Sequence, residues 1–424
     1  MFRYQKTRLN NGLRITSAFL PQMESVTLGI WVRVGGRYET TKIAGISHFI
    51  EHLLFKGTRS RSALKIKETI EAAGGTLNGF TGEEFTCYYA KVLKNKVRSA
   101  LDVLSDMVLH ARLEQKDIEK EKQVIIEEIK MYWDLPSSYV HDLLNELIWA
   151  NHPLGMHLAG TPETIQSLMA HQIRDYKQKF YHPPNFLISA VGSVSHEEIV
   201  QRCEKLFRPL GRGKLWTFKR ANFKQLESRV LFRAKQTEQT HLCLGFRTLG
   251  CFHPDRFPLA LLSIILGGNM SSRLFQEVRE KQSLAYEIGS HVRQYQDTGA
   301  FVVNAGVENI KTQKAVKVIL EQLQKICQTP LSLRELKKAK EFYRGQLLLG
   351  LEDTSEHMIW LGENILTMGK IVKPEELLLQ IEKVSIQDVQ RTAKKVFVKS
   401  KLSLAIIGPL TETQQREIRS FCRK

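Results

Sequence analysis

Apolar positions recur along this chain with two periods, and the order of those periods sketches the fold. Ile46, Phe49, Ile50, Leu53 and Leu54 stand at i, i+3, i+4, i+7 and i+8, which predicts an amphipathic helix over residues 45–57 with its stop at Gly57. Ile118, Val124, Ile125, Ile129 and Tyr132 predict a second helix over residues 117–132. Residues 25–34, 187–192, 241–249 and 402–408 read as strands. The longest apolar run, residues 259–266, is too short to span a bilayer and reads as a buried turn or two of helix. In each half strand signals come first, then helices, a second pair of strands, more helices and a closing strand. That order favours an α+β fold over alternating βα units.

The two halves match at one interval. Leu28-Gly29 and Leu244-Gly245, Gly192 and Gly408, and Phe85 and Phe301 are each separated by 216 residues, which implies a duplicated domain. The boundary falls in the stretch 208–224, where Arg208, Arg212, Lys214, Lys219, Arg220 and Lys224 occur with no acidic residue among them. A solvated basic linker is preferred there to a binding patch. Two tandem similar α+β domains follow, 1–212 and 225–424.

The chain has 424 residues, 42% hydrophobic and 25% charged, which suits a globular protein of two or more domains. Its first residues carry charge but no apolar core of a secretory signal, so a cytoplasmic protein is expected. Six cysteines lack C-x-x-C spacing and indicate neither a zinc cluster nor a disulfide framework. The net charge of +18 raises the question of nucleic acid or an anionic surface, but no nucleic-acid motif accompanies it, and nucleic acid is not expected as a partner.

The first helix also carries chemistry. His48, Glu51, His52 and Phe55 share the face opposite its apolar stripe. Neutral imidazoles one turn apart can bind one Zn²⁺, and a carboxylate beside them can take a proton from water. The order is H-x-x-E-H, the inverse of H-E-x-x-H. A third ligand is then needed. Glu121 and Glu128, seven apart on the second helix, project from nearly one face, although by spacing alone they could equally be solvated surface residues. The 216-residue interval carries His48, Glu51 and His52 onto Ile264, Gly267 and Gly268, so only the first half can hold such a site.

The run from His48 to Thr58, H-F-I-E-H-L-L-F-K-G-T, resembles the zinc motif of the pitrilysin/insulinase family of metallopeptidases, particularly its processing-peptidase branch and bacterial relatives. The resemblance spans essentially the whole chain. It implies domains that are each a mainly antiparallel sheet with helices packed on one face. It also implies one Zn²⁺ per chain held by His48, His52 and Glu128, with Glu51 as general base and Glu121 supporting a histidine ligand. Residues 74–81, followed by Thr86 and Tyr88, are similar to the family's substrate-binding strand, with Asn78 as the polar position and Gly79 where alanine is usual. Phe55 joins the implied substrate-binding set. In the second half Ser272-Arg273-Leu274-Phe275, Arg279-Glu280 and Leu284-Ala285-Tyr286 look like the family's Arg/Tyr motif, in which Arg279 and Tyr286 donate to a substrate carbonyl or oxyanion. Arg279 and Tyr286 lie seven apart, on one side if the segment were helical throughout; Ser283 is where a helix could break.

The implied activity is a zinc-dependent endopeptidase or oligopeptidase acting on extended peptides or unfolded polypeptides. In the family four such domains enclose a chamber, so two per chain imply a homodimer, with Arg279 and Tyr286 approaching the partner's zinc. The alternative is a noncatalytic peptide-binding or assembly subunit, against which the intact His48, Glu51, His52 and Glu128 speak.

Overall fold

A computed structural model describes residues 3–221 and 225–423. Lys224 of the basic run, and residues 1, 2 and 424 at the expected domain ends, lie outside the described residues.

The elements run in chain order as β1 (Arg3–Arg8), β2 (Arg14–Phe19), β3 (Ser25–Val32), α1 (Ile46–Leu54), α2 (Ala63–Glu71), β4 (Thr76–Thr81), β5 (Thr86–Leu93), α3 (Val97–His110), α4 (Gln115–Asp134), α5 (Pro136–Ile148), α6 (Pro162–Ser167), α7 (Ala170–Phe180), β6 (Phe186–Gly192) and α8 (His196–Phe207). The second half continues with β7 (Arg229–Ala234), β8 (Gln239–Leu249), α9 (Arg256–Gly267), a π-helical turn (Phe275–Lys281), β9 (Ala285–Gln294), β10 (Thr298–Glu308), α10 (Thr312–Gln328), α11 (Leu333–Gly350), α12 (Thr354–Met368), α13 (Pro374–Glu382), α14 (Ile386–Val396), β11 (Leu402–Gly408) and α15 (Glu412–Arg423).

The duplication is visible element by element. The bounds of β6 and β11, α7 and α14, and α8 and α15 coincide at an interval of 216 residues. The sheets match as well, in the orders β1-β2-β6-β3-β5-β4 and β7-β11-β8-β10-β9. Each is antiparallel except for one parallel pair, β2 with β6 and β11 with β7. Both halves are therefore α+β with a mainly antiparallel sheet, as expected.

The chain clusters into two compact units, neither continuous in sequence. The first comprises the described residues within 1–130, 156–219 and 349–371; the second comprises those within 131–155, 220–348 and 372–424. In each, a single helix covers the sheet face opposite the main helical layer, and that helix comes from the other half of the sequence. In the first unit it is α12, whose Met358, Leu361 and Ile365 pack with Trp31, Leu187 and Val191. In the second it is α5, whose Val140, Leu144 and Ile148 pack with Cys243, Ala300, Val302 and Ile407. The repeated Leu-Gly pair explains how these helices approach. A Cβ at Gly29 would lie 2.5 Å from Met358 Sδ, and one at Gly245 would lie 2.4 Å from Ile148 Cδ1. Covering both faces makes β3 apolar on both sides, and Val26, Leu28, Ile30, Trp31 and Val32 are all fully buried.

Residues 208–219 of the basic run cluster with the first unit, and Arg220 and Ala221 with the second. Two aromatic residues within 208–219 tether that stretch. Lys179 Nζ lies 4.1 Å from the Trp216 ring, and the buried Arg37 guanidinium lies 3.8 Å from the Phe218 ring while donating to the Lys219 carbonyl.

Candidate metal centre

The first unit assembles the site around α1. Gly45, at φ +92°, turns the chain into the helix, and Ala159 O would lie 2.4 Å from any Cβ there. Glu39 caps the start, accepting from the backbone N–H groups of Gly45 (2.6 Å) and Ser47 (2.8 Å). Burial nevertheless pushes the Glu39 carboxyl up to about 7. Ile46, Phe49, Ile50, Leu53 and Leu54 are buried as the apolar stripe, which leaves His48, Glu51 and His52 on the working face. The helix ends at Leu54, so Phe55 is its closing residue rather than part of its last turn, and Gly57 at φ +124° completes the exit.

Helix α4 brings the two glutamates to this face. One ligand atom each of His48, His52 and Glu128 lies within 4.8 Å of the others. Glu128 Oε1 is 3.8 Å from His48 Nε2, and Oε2 is 3.6 Å from His52 Nε2. Donors about 2.0–2.2 Å from one tetrahedral ion stand roughly 3.3–3.6 Å apart, so the trio fits a zinc ion with little movement. Glu121 lies behind it, 2.9 Å from His52 Nδ1, which leaves Nε2 pointing to the trio. Its other oxygen is 2.6 Å from Lys56 Nζ.

Burial, with help from His52 and His157, holds His48 down to about 3, so its imidazole is neutral and able to ligate. The His48 Nδ1 is buried with no hydrogen-bond partner among the described residues; packing orients this ring, with His52 edge-on at 4.5 Å. Burial opposes charge on His52 too, but Glu121 and the charges of Glu51 and Glu128 outweigh it and raise the pKa. For Glu121, burial is outweighed by His52 and Lys56, which hold the carboxyl below its usual range. Burial pushes the Glu51 carboxyl up, partly offset by a 2.8 Å bond in which Thr81 Oγ1 donates to Oε2.

Thr81 ends β4, which among the described residues pairs only with β5 and is an edge strand of its sheet. Asn78 is exposed on that strand, its Oδ1 accepting from Gly79 N–H at 2.8 Å. Phe55 is half-buried beneath it, where a Cβ at Gly79 would lie 3.2 Å from its ring.

Arg279 and Tyr286 belong to the second unit. The segment is not helical throughout: the π-helical turn ends at Lys281, Ser283 takes φ +48°, and Tyr286 lies on β9. Backbone bonds from Ser283 to Arg279 (3.1 Å) and from Leu284 to Val278 (2.8 Å) close the turn. The pair still meets, with Arg279 Cζ 5.4 Å from the Tyr286 ring and 4.7 Å from Phe275. Tyr286 is 74% exposed, which leaves its hydroxyl available.

Sequence reading missed three contributors: Glu39, Lys56 and the hydroxyl of Thr81. Thr81 lay inside the recognised stretch 74–81, but no spacing ties it to Glu51, thirty residues earlier.

The profile described as Insulinase (Peptidase family M16) matches residues 14–162, and the one described as Peptidase M16 inactive domain matches residues 167–343. The chain belongs to the insulinase family of peptidases. An uncharacterized zinc protease of Bacillus subtilis, YmxG, is 39% identical over 94% of this chain and 97% of its own length. One of Streptomyces coelicolor is 37% identical over 97% and 90%. The crystal structure of a protease from Helicobacter pylori superposes with a TM-score of 0.91 at 24% identity, covering 96% of this chain and all of that one, which establishes the shared fold. No helix among the described residues is long and apolar enough to cross a membrane.

Proposed function

We propose that this insulinase-family chain is a zinc-dependent endopeptidase or oligopeptidase that hydrolyses extended peptides. The observation that carries the reading is the convergence of His48, His52 and Glu128 within 4.8 Å, beside a Glu51 carboxylate held by Thr81. The relatives' names, zinc proteases, support zinc as the ion.

His48, His52 and Glu128 hold one Zn²⁺ per chain, and Glu121 fixes the His52 ring through Nδ1. When bound, the ion supplies Lewis acidity, polarising the scissile carbonyl and acidifying water. Glu51 takes a proton from the attacking water and delivers it to the leaving amine. An extended peptide adds to the open edge of β4, with Asn78 holding its backbone and Phe55 offering an apolar contact. Residues 1–212 form the catalytic domain, 225–424 carry Arg279 and Tyr286 as substrate-binding donors, and 208–224 join them. The chain acts as a cytoplasmic homodimer; the free state of all six cysteines supports the compartment.

The test is a mass-spectrometric cleavage profile of a peptide library with zinc-loaded protein and with Glu51→Gln. Cleavage lost on chelation and absent from the variant is expected. Binding without cleavage by the zinc-loaded wild type would instead indicate a noncatalytic peptide-binding or assembly subunit.

A further inference from the structure

Outside the metal centre, the second unit contains a cavity of about 730 Å³ at the end of β8, between the first turn of α9 and the end of α14. Its lining carries four cations, Arg247, Arg256, Lys395 and Lys401, and one carboxylate, Asp255. That carboxylate is already engaged, by Lys395 Nζ at 2.8 Å and Arg391 at 3.1 Å. Lys401 Nζ donates to the Lys395 carbonyl at 3.2 Å and has no carboxylate within ion-pair distance among the described residues. The wall is thus positive after its one acid is counted.

The mouth of the same cavity adds a second feature. The rim is apolar: Leu226, Leu249 and Val398 are among the chain's exposed large hydrophobics, at 83%, 46% and 36%. A volume of this size with an apolar mouth and a few converging polar groups has the form of a small-molecule site.

We propose that this cavity binds a small amphiphilic organic anion, its carboxylate or phosphate held by Lys401 and Arg256, and its apolar body lying along Leu226, Leu249 and Val398. The site shares no residue with the metal centre, so it stands or falls independently of the peptidase reading.

Titration calorimetry of the full chain tests it, with decanoate and decyl phosphate as probes, decanol and inorganic phosphate as controls, and melting curves to confirm that each variant folds. Saturable one-to-one binding of at least one anionic amphiphile is expected, with decanol and phosphate at least tenfold weaker and affinity falling as salt rises. The stronger of decanoate and decyl phosphate identifies the headgroup. Lys401→Ala should weaken binding about tenfold, the scale of one hydrogen bond to a charged group. Val398→Trp, which fills the mouth, should abolish it. The proposal is overturned by no binding of either anion, by decanol binding as tightly, or by affinity that folded Lys401→Ala and Val398→Trp leave unchanged.

Discussion

The Thr81 hydroxyl and the Glu121 carboxylate each act on a charge held by another residue, so removing either tests the proposed roles without removing a ligand. Thr81 donates to Glu51 at 2.8 Å and opposes the upward push that burial gives that carboxyl. Without the hydroxyl, the base holds its proton to higher pH. Thr81→Val should therefore move the acid limb of the kcat/KM profile upward and reduce turnover about three- to tenfold at pH 6, with a smaller loss at pH 8. A uniform loss at all pH values would remove Thr81 from the proton-transfer step. Glu121 would act on the proposed ion through its 2.9 Å contact with His52 Nδ1. Glu121→Gln should weaken zinc binding roughly 10- to 100-fold in a chelator competition, the usual cost of losing a carboxylate behind a histidine ligand, whereas Glu128→Gln should cost more. Equal affinity in Glu121→Gln and wild type would confine Glu121 to its pairing with Lys56.

At the scale of elements, the helix bearing the histidines was readable because its apolar residues recur at three and four, and the glutamate helix because Glu121 and Glu128 fall two turns apart. The cap on α1 was not. Glu39 sits between two short 3-10 turns, Gly36–Tyr38 and Thr41–Ile43, and no fixed spacing links a capping carboxylate to an N-cap six residues on. That cap titrates. Its carboxyl is raised from 4.5 to about 7 by burial, so between those values the folded chain holds a proton that the unfolded chain has released. The stability it contributes is greatest below pH 4.5 and falls as pH rises through about 7, by at most roughly 3 kcal/mol. Glu39→Gln does not titrate. The unfolding free energy of wild type minus that of the variant should decline from pH 4.5 to 7.5; a flat difference would show that the carboxyl stays ionised throughout. The exchange of α5 and α12 was equally hidden, because periodicity reveals that a helix has an apolar face but not which sheet receives it. Glycine marks the contact only in retrospect. A Cβ at Gly362 would fall 2.2 Å from Trp31 Cε2, a fully buried ring that cannot move, whereas one at Gly245 meets the mobile end of Ile148. Gly362→Ala should lose about 2–3 kcal/mol in denaturant unfolding despite its better helix propensity, and Gly245→Ala less than about 1 kcal/mol. Similar losses would mean that α12 can shift off Trp31.

At the scale of the whole molecule, the duplication explains why the described residues hold one candidate centre. The two halves repeat the sheet order and the bounds of their last helices, yet the positions equivalent to His48, Glu51 and His52 are Ile264, Gly267 and Gly268. The second half keeps a different chemistry, a guanidinium and an exposed phenol brought together by a π-helical turn and the start of β9. If the active form is a homodimer in which each zinc meets Arg279 and Tyr286 of the partner, the two chemistries can be inactivated on different chains. A Glu51→Gln chain lacks the base but offers an intact Arg279; an Arg279→Ala chain keeps the base and lacks the donor. Each homodimer has two defective sites, whereas the mixed dimer has one site with both groups intact. After random exchange at equal amounts half the dimers are mixed, so activity should recover to about a quarter of wild type. An arrangement within one chain gives every mixed dimer two defective sites and no recovery. Dimer exchange followed by differential tagging, with cleavage of one peptide as readout, separates the two outcomes, and absence of recovery in verified mixed dimers would place Arg279 with the zinc of its own chain.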